Sequence, residues 1–514
     1  MDCVLLRPGL QAFGSNMFSG YAGSLRILLL SKVLKGLQLS GHTMRNRVAF
    51  LLAVTVLAFT ATAQSSTVLR VDRDAAGGGD GSSWSSALND LSRALSLAMA
   101  GDEIWVAEGV YKPNSLPNQS DRRNTFGIPH GVSVHGGFRG VDSEVSLETR
   151  KGRFGRTILS GDLRDNPPPF FGEDAYHVVT IADAEVTLDG FRIERGNACC
   201  DLLTDDSVGG GVRIEQQSIA HLSNLIIRGC KAKFGGGVSV RASTVRAKHI
   251  RFLGNLASRN GGGLHIESDA AESWYHSIRF ESNIAQVPFE LNQPVGRGGA
   301  IYSASSTEQH FANVLGRGNS GYAGGFAYVD GSSARTEWVN CTVAFNESTY
   351  VGLPGGEGTG EGFLFNVGVT GYNVLRNCIV WGNTSDGINT TKLDIEIAAS
   401  GQQVSVLFSN VGASNNAFAP DASNLSTDPL FVDPGGPLLR LGGVATGAIS
   451  PCIDSGSSNH LPDDEVDLDG NGDSSERIPW SVLKGEARVT YYPWQPGGDV
   501  DMGCYETAAS AGPK

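Results

Sequence analysis

One phrase returns five times within this 514-residue chain: GGGVRI from Gly209, GGGVSV from Gly235, GGGLHI from Gly261, GGAIYS from Gly298 and GGFAYV from Gly324. The first three begin 26 residues apart, and so do the last two. A second phrase interleaves with it, an apolar stretch closed by Asn: RFLGN to Asn255, RFESN to Asn283, VAFN to Asn346 and IVWGN to Asn383. A unit of this length, built of short apolar alternations, cannot bury its inward face alone and must stack on copies of itself. Residues 186–385 are therefore expected to coil as an all-β solenoid, each turn laying its strands parallel on those of the turn before. Glycine supplies the positive φ that corners require; Asn tolerates it and can also stack its amide from coil to coil. The recurring Asn residues are accordingly expected at corners or in a ladder, not in catalysis. Glycine is 68 of 514 residues, about twice the roughly 7% of an average protein, without a Gly-X-Y period.

The flanks differ from the repeat. Ala87 to Met99 (ALNDLSRALSLAM) has helical spacing and is expected to cap the open end of the solenoid, where an unpaired sheet edge would invite association. Strand structure should start at Asp102, with polar side loops at Lys112 to Pro129 and Asp165 to Glu173. Before all this, Met44-Arg45-Asn46-Arg47, an apolar run from Val48 to Phe59 and Ala61-Thr62-Ala63 form a secretory signal pattern. The expected organisation is residues 1–43 as a mis-assigned start, 44–63 as signal peptide, 64–101 as entry strand and cap helix, 102–411 as solenoid, 412–507 as an irregular C-terminal region and 508–514 as tail.

Without residues 1–63, which carry six basic residues and one acidic one, 34 Lys/Arg face 52 Asp/Glu, a formal charge of −18. Such a chain repels nucleic acid, and it repels acidic polysaccharide except where a basic groove or bridging Ca²⁺ reverses the local field. No later apolar run is long enough to span a bilayer. A monomer is expected. The seven cysteines after the signal fit no zinc spacing; export permits disulfides, and Cys452 with Cys504 is the expected pair, both lying in the C-terminal region.

WVAEGVYKP from Trp105, VSVHGGFRG from Val132, TILSGDL from Thr157 and VTLDGFRIERGNA from Val186 resemble secreted bacterial right-handed parallel β-helix proteins of the pectin-lyase-like superfamily. NCIVWGN from Asn377, STDPLFVDP from Ser426, SPCIDSG from Ser450, DLDGNGD from Asp467 and DMGCYE from Asp501 are similar to the choice-of-anchor Q domain. The Gly and Asn phrases also resemble the repeats of polymorphic outer-membrane proteins. These resemblances imply an exported extracellular or cell-surface protein that binds carbohydrate, adheres or has a structural role, with a polysaccharide lyase or glycoside hydrolase as the alternative. Only Thr507 to Lys514 follow the last phrase, without an apolar anchor, so free secretion is the simpler expectation.

Four sets of residues are candidates for chemistry. Asp467, Asp469, Asn471 and Asp473 place oxygens at positions 1, 3, 5 and 7 of a loop with Gly472 at position 6, the first half of an EF-hand-type Ca²⁺ loop; Ile478 stands where the closing Glu belongs, so Glu476 is the candidate extra ligand of a structural ion. For a lyase, which the resemblance makes conceivable, a base and a cation are needed, and Lys231, Lys233, Arg246, Lys248 and His249 on neighbouring coils could supply them, with Arg228 beside them. A hydrolase would need close carboxylates, for which Asp201, Asp205 and Asp206 are candidates. His265, Trp274, Tyr275, His276 and Tyr302 could form a platform on which sugar rings stack. Each set also has a plain structural explanation: solvated charge on an outer sheet face, a polar turn, or packing between side loops.

Overall fold

The computed structural model describes residues 66–113, 121–165, 173–199, 207–286, 296–349, 360–368, 370–385, 393–398, 404–415, 421–442, 448–464, 467, 473–474 and 500–506. The start and signal segment 1–63, Asp201, Asp205, Asp206, Asp469, Asn471, Glu476 and the tail 508–514 lie outside the described residues. No helix among the described residues is long and apolar enough to cross a membrane.

Three parallel sheets wrap one core, with 19, nine and seven strands among the described residues; the chain is a parallel β-helix. One coil shows the path. Val212–Glu215 lies in the nine-stranded sheet, Ile219–Arg228 in the long sheet and Lys231–Phe234 in the seven-stranded sheet, before Val238–Val240 returns to the nine-stranded sheet one coil on. The five Gly phrases fall into a single register: Val212 faces Val238, Val238 faces Leu264, Leu264 faces Ile301 and Ile301 faces Ala327.

Left-handed backbone marks the corners, in three columns. Gly209, Gly235, Gly261, Gly298 and Gly324 open the strands of the nine-stranded sheet at φ between 60° and 68°. Gly229, Gly254, Ser282, Gly318, Phe345 and Gly382 end those of the long sheet. A third column, Gly190, Asn224, His249, Ser277, Asn313, Asn340, Asn377 and Phe408, bends the long sheet in its middle. Space distinguishes the columns as much as φ does. A Cβ on Gly235 would stand 2.3 Å from the Val238 carbonyl oxygen, whereas one on Gly229 would meet nothing within 4 Å. The glycine at the start of the repeated phrase is therefore demanded twice, by φ and by close backbone approach.

The closing Asn residues of the second phrase form a ladder, but they are not themselves the residues with positive φ. Each follows one: Gly254 precedes Asn255 and Gly318 precedes Asn319. Nδ2 of Asn255 donates to Oδ1 of Asn283 at 3.0 Å, Asn283 to Asn319 at 2.9 Å, Asn319 to Asn346 at 2.9 Å and Asn346 to Asn383 at 2.9 Å. The second Nδ2 hydrogen goes to a carbonyl of the preceding coil, such as Phe280 O at 2.9 Å from Asn319, and each Oδ1 also accepts a backbone N–H. The ladder ends on an acceptor-only group. Asp394 Oδ1 takes the Asn383 N–H at 2.9 Å and its Nδ2 at 2.7 Å, while Oδ2 takes the Ala413 N–H at 2.9 Å. Burial pushes the Asp394 carboxyl above its ordinary pKa against these donors.

Inside the tube, the long strands Ile219–Arg228 and Thr244–Leu253 bury alternate residues, and aromatic rings stack in register: Tyr275 on Phe311 at 4.8 Å, Phe311 on Trp338 at 4.0 Å and Phe252 on Phe280 at 4.6 Å. The first end is covered by helix α1 (Leu91–Leu97), which buries Leu91, Ala94 and Leu95. It is shorter than the spacing of Ala87 to Met99 predicts. Leu88 forms a parallel bridge to Val71, and Asp90 caps the helix by accepting from the Ser92 N–H at 2.7 Å, so the helix cannot start earlier.

The C-terminal region is not confined to the far end. Phe431, Leu439, Leu441, Cys452, Met502, Cys504 and Tyr505 pack on the outward residues Leu315, Ala344 and Ile379 of the long sheet. The expected Cys452–Cys504 bridge is not formed. Both are buried thiols, held by different strands: Asn410 Nδ2 donates to the Cys452 sulfur at 3.0 Å, and the Cys504 N–H donates to Thr342 Oγ1 at 3.0 Å. Burial pushes the Cys452 thiol up to about 11. Cys199 is the described cysteine that is disulfide-bonded.

Candidate functional site

The outer face of the long sheet collects polar side chains that are far apart in sequence. Successive coils place Thr187, His221, Arg246, Trp274, His310 and Glu337 in one outward column. The column beside it, two residues further along each strand, runs Asp189, Ser223, Lys248, His276, Ala312, Val339 and Arg376. Residues 459–463 of the C-terminal region form a wall over this face. Between wall and sheet lies a groove of about 340 Å³ lined by Trp274, His310, Glu337, Arg376, His460 and Asp463. Further along the same columns, Thr187, His221, Ser223, Arg246, Lys248 and Asp467 line a second recess of about 210 Å³.

Charge in the groove is tightly paired. His310 Nδ1 is 3.1 Å from Glu337 Oε2 and Nε2 is 3.1 Å from Glu272 Oε1. Burial alone would disfavour the imidazolium, but the two carboxylates outweigh it and His310 is pushed up to about 9. Glu337 is also bound by Arg376 Nη1 through its other oxygen; burial opposes its charge, yet His310 and Arg376 hold its pKa below the ordinary value. At the far end of the second column, Asp189 accepts from Ser223 Oγ at 2.7 Å, Asn224 Nδ2 at 2.6 Å and Arg150 Nη1 at 2.5 Å. Burial raises its pKa, but His135, with Nδ1 3.5 Å from Oδ2, and then Arg150, Asn224 and Ser223 outweigh it and keep the carboxyl well below the usual range.

The expected basic cluster divides between two sheets. Arg246 and Lys248 are outward neighbours on Thr244–Leu253, and His249 occupies the bend of the same strand at φ 56°. Lys231 and Lys233 lie round the corner in the seven-stranded sheet, Lys233 with its Nζ 5.6 Å from the Phe234 ring centre. Burial lowers the Lys231 pKa, opposed by Asp174. Arg228 ends its strand beside Glu194, 3.6 Å away.

The expected stacking platform divides as well. His265 and Tyr302 stack at 5.1 Å on the nine-stranded sheet, Tyr275 faces the core and His276 is 1% exposed, its Nε2 2.8 Å from Asn313 Nδ2. Trp274, Tyr275 and His276 all border the groove, but the last two are buried and only Trp274 of these three is partly exposed there. His310 stacks on it at 5.3 Å and 8°, and the Arg246 guanidinium lies 6.0 Å from its ring on the preceding coil. With a neighbour on each side along the coil axis, the indole shows the groove its edge rather than a face. Of the Ca²⁺ candidates, Asp467 lines the smaller recess at φ 50°, opposite Arg246 and Lys248, and Asp473 is described without its intervening partners.

His310, Glu337, Arg376, Glu272 and Glu308 were not among the sequence candidates. A signal for the column exists, in the alignment of the repeats on their mid-sheet bends: RAKHIRF from Arg246, WYHSIRF from Trp274, HFANVLG from His310 and EWVNCTV from Glu337 start on one outward position.

Fold and face together define a parallel β-helix protein with a polar groove along its longest sheet. Among solved structures the chain is similar to pectate lyase Pel9A at 14% identity, covering 86% of this chain and 96% of that one with a TM-score of 0.41. It is also similar to a rhamnogalacturonan lyase (10% identity, 75% and 97% covered, TM-score 0.32) and to the pectin methylesterase PemA from Erwinia chrysanthemi (11%, 74% and 99%, 0.28). No protein-family profile and no curated protein matches the chain, so the likeness of the C-terminal region to choice-of-anchor domains and of the repeats to polymorphic outer-membrane proteins gains no support.

Proposed function

We propose that this chain is exported and binds an extracellular polysaccharide along the outer face of the long sheet, holding it without cleaving it. The observation that carries this reading is the groove of about 340 Å³ in which His310, Glu337, Arg376 and the edge of Trp274 converge beneath residues 459–463. Since the indole faces are taken, recognition would run through hydrogen bonds and charge rather than ring stacking. General acid–base chemistry works best with groups that titrate near the working pH. His310 is held above that range and Glu337 below it, which suits fixed charges that orient a ligand.

Cleavage is the second reading, favoured by Arg246 and Lys248 lining one recess with His221, where a cation and a base could meet a uronate. A panel of acidic and neutral glycans separates the two, with binding followed by calorimetry, and cleavage by unsaturated-uronate absorbance and new reducing ends. Binding that weakens at least tenfold in Arg376→Ala, without product, supports the first reading. Product that vanishes in Lys248→Ala establishes the second, and absence of both binding and product rejects both. A structural Ca²⁺ in the loop from Asp467 to Asp473, completed by Glu476, is proposed separately; an unchanged melting temperature on exchanging Ca²⁺ for chelator refutes it.

A further inference from the structure

We propose that Glu308, His310 and Glu337 form a binding site for a divalent transition-metal ion, Zn²⁺ above all, with an open coordination position facing the groove. One ligand atom from each of the three residues lies within 4.8 Å of the others. Glu308 and His310 are two apart on the strand Glu308–Ala312 and so project from the same face, and Glu337 faces His310 from the next coil. All three side chains therefore stand on paired strands of one sheet, which fixes their spacing more firmly than a loop could.

The histidine is already arranged as a ligand. Its Nε2 is 3.1 Å from the Glu272 carboxylate and its Nδ1 3.1 Å from Glu337 Oε2. A metal-bound imidazole characteristically donates its second ring N–H to a carboxylate, which fixes the tautomer and raises its basicity. Glu272 occupies that role, leaving Nδ1 for the ion. Tetrahedral Zn²⁺ with bonds of about 2.0–2.2 Å sets neighbouring ligand atoms about 3.3 Å apart, so the Nδ1 to Oε2 spacing needs only a small expansion. Arg376 stays on the other oxygen of Glu337 as an outer partner.

Donor chemistry agrees with geometry. An imidazole with two carboxylates favours a borderline ion such as Zn²⁺ over Ca²⁺ or Mg²⁺, which prefer all-oxygen shells. Three protein ligands leave the fourth position to water or to an oxygen of whatever fills the groove.

The test is calorimetric titration of the intact mature protein with ZnCl₂ and, separately, CaCl₂, together with Co²⁺ substitution read by visible absorption. One Zn²⁺ per chain, little response to Ca²⁺ and a tetrahedral Co²⁺ spectrum are expected. His310→Gln should weaken Zn²⁺ at least 100-fold and Glu272→Gln by about 10–100-fold, as outer partners of metal ligands do. Glu308→Gln, a half-buried position on the outer face, keeps the test decisive if the histidine variant fails to fold. No Zn²⁺ uptake, or uptake of unchanged affinity in folded His310→Gln or Glu308→Gln, overturns the assignment.

Discussion

Asn319→Ala should destabilise the protein far more than an exchange of one polar side chain for a methyl group normally does. Asn319 is fully buried, and its amide makes four hydrogen bonds. Nδ2 donates to Phe280 O and to Asn346 Oδ1, and Oδ1 accepts from the backbone N–H and the Nδ2 of Asn283, all at 2.9 Å. In the variant, Asn346 Oδ1 retains the N–H of residue 319. The Asn283 N–H and one Asn283 Nδ2 hydrogen are left without an acceptor in a dry interior, while Phe280 O keeps its place in the parallel ladder with Leu315–Arg317. Each such orphan costs about 1–3 kcal/mol, and a single water entering the small void recovers part of the total. A net loss of about 3 kcal/mol follows, at the upper end of what point substitutions commonly do. Because each coil touches only its neighbours, the effect should be concentrated locally. Guanidinium unfolding followed by tryptophan fluorescence measures the loss, and hydrogen exchange at the Asn283 amide should rise before that of distant coils. A loss below about 1 kcal/mol, or uniform acceleration of exchange along the whole chain, would refute the reasoning.

Three further outcomes are expected. Asp394→Asn places an amide where the Ala413 N–H and the two Asn383 donors all need acceptors, so one donor faces another, and unfolding experiments should show a loss of about 2–3 kcal/mol; an unchanged midpoint would contradict the capping role. Gly235→Ala and Gly229→Ala impose the same left-handed strain of about 1–2 kcal/mol, but only the first drives a Cβ to 2.3 Å from a carbonyl oxygen, so its midpoint in denaturant should fall clearly further; equal shifts would remove close approach as a cause. His265 is 6% exposed, and burial lowers its pKa to about 3. Its folded value lies below the unfolded 6.5, so the stability it lends is complete above pH 6.5 and is lost as pH falls towards 3, about 1.4 kcal/mol per pKa unit; NMR should show a neutral ring at pH 5, and a protonated one there would contradict this.

The solenoid was legible because its repeat is a direct image of its register: the residue after each Gly run packs on the residue after the next. The ladder was legible for the same reason, although Asn319, in a phrase without the preceding apolar pattern, was overlooked. Helix α1 was recognised by its spacing, yet its start was misplaced, because apolar spacing cannot reveal that Leu88 pairs with Val71. The groove was harder to see. Its residues lie about one coil apart, from Trp274 to Arg376, and polar side chains are expected at every outward strand position, so none stands out singly. The wall formed by residues 459–463 belongs to a region with no repeat to index it. Lys231 and Lys233 were grouped with Arg246 and Lys248 by nearness in the coil, and the corner at Gly229 turns them onto another sheet.

The most direct test of a ligand-holding groove on the long sheet is a crystal structure of the protein with the best-binding oligosaccharide from the glycan panel. The proposed function predicts sugar density between residues 459–463 and the column Trp274, His310 and Glu337, with a sugar oxygen on Arg376. Density confined to the nine-stranded sheet around His265 and Tyr302, with the groove occupied only by solvent, would contradict it.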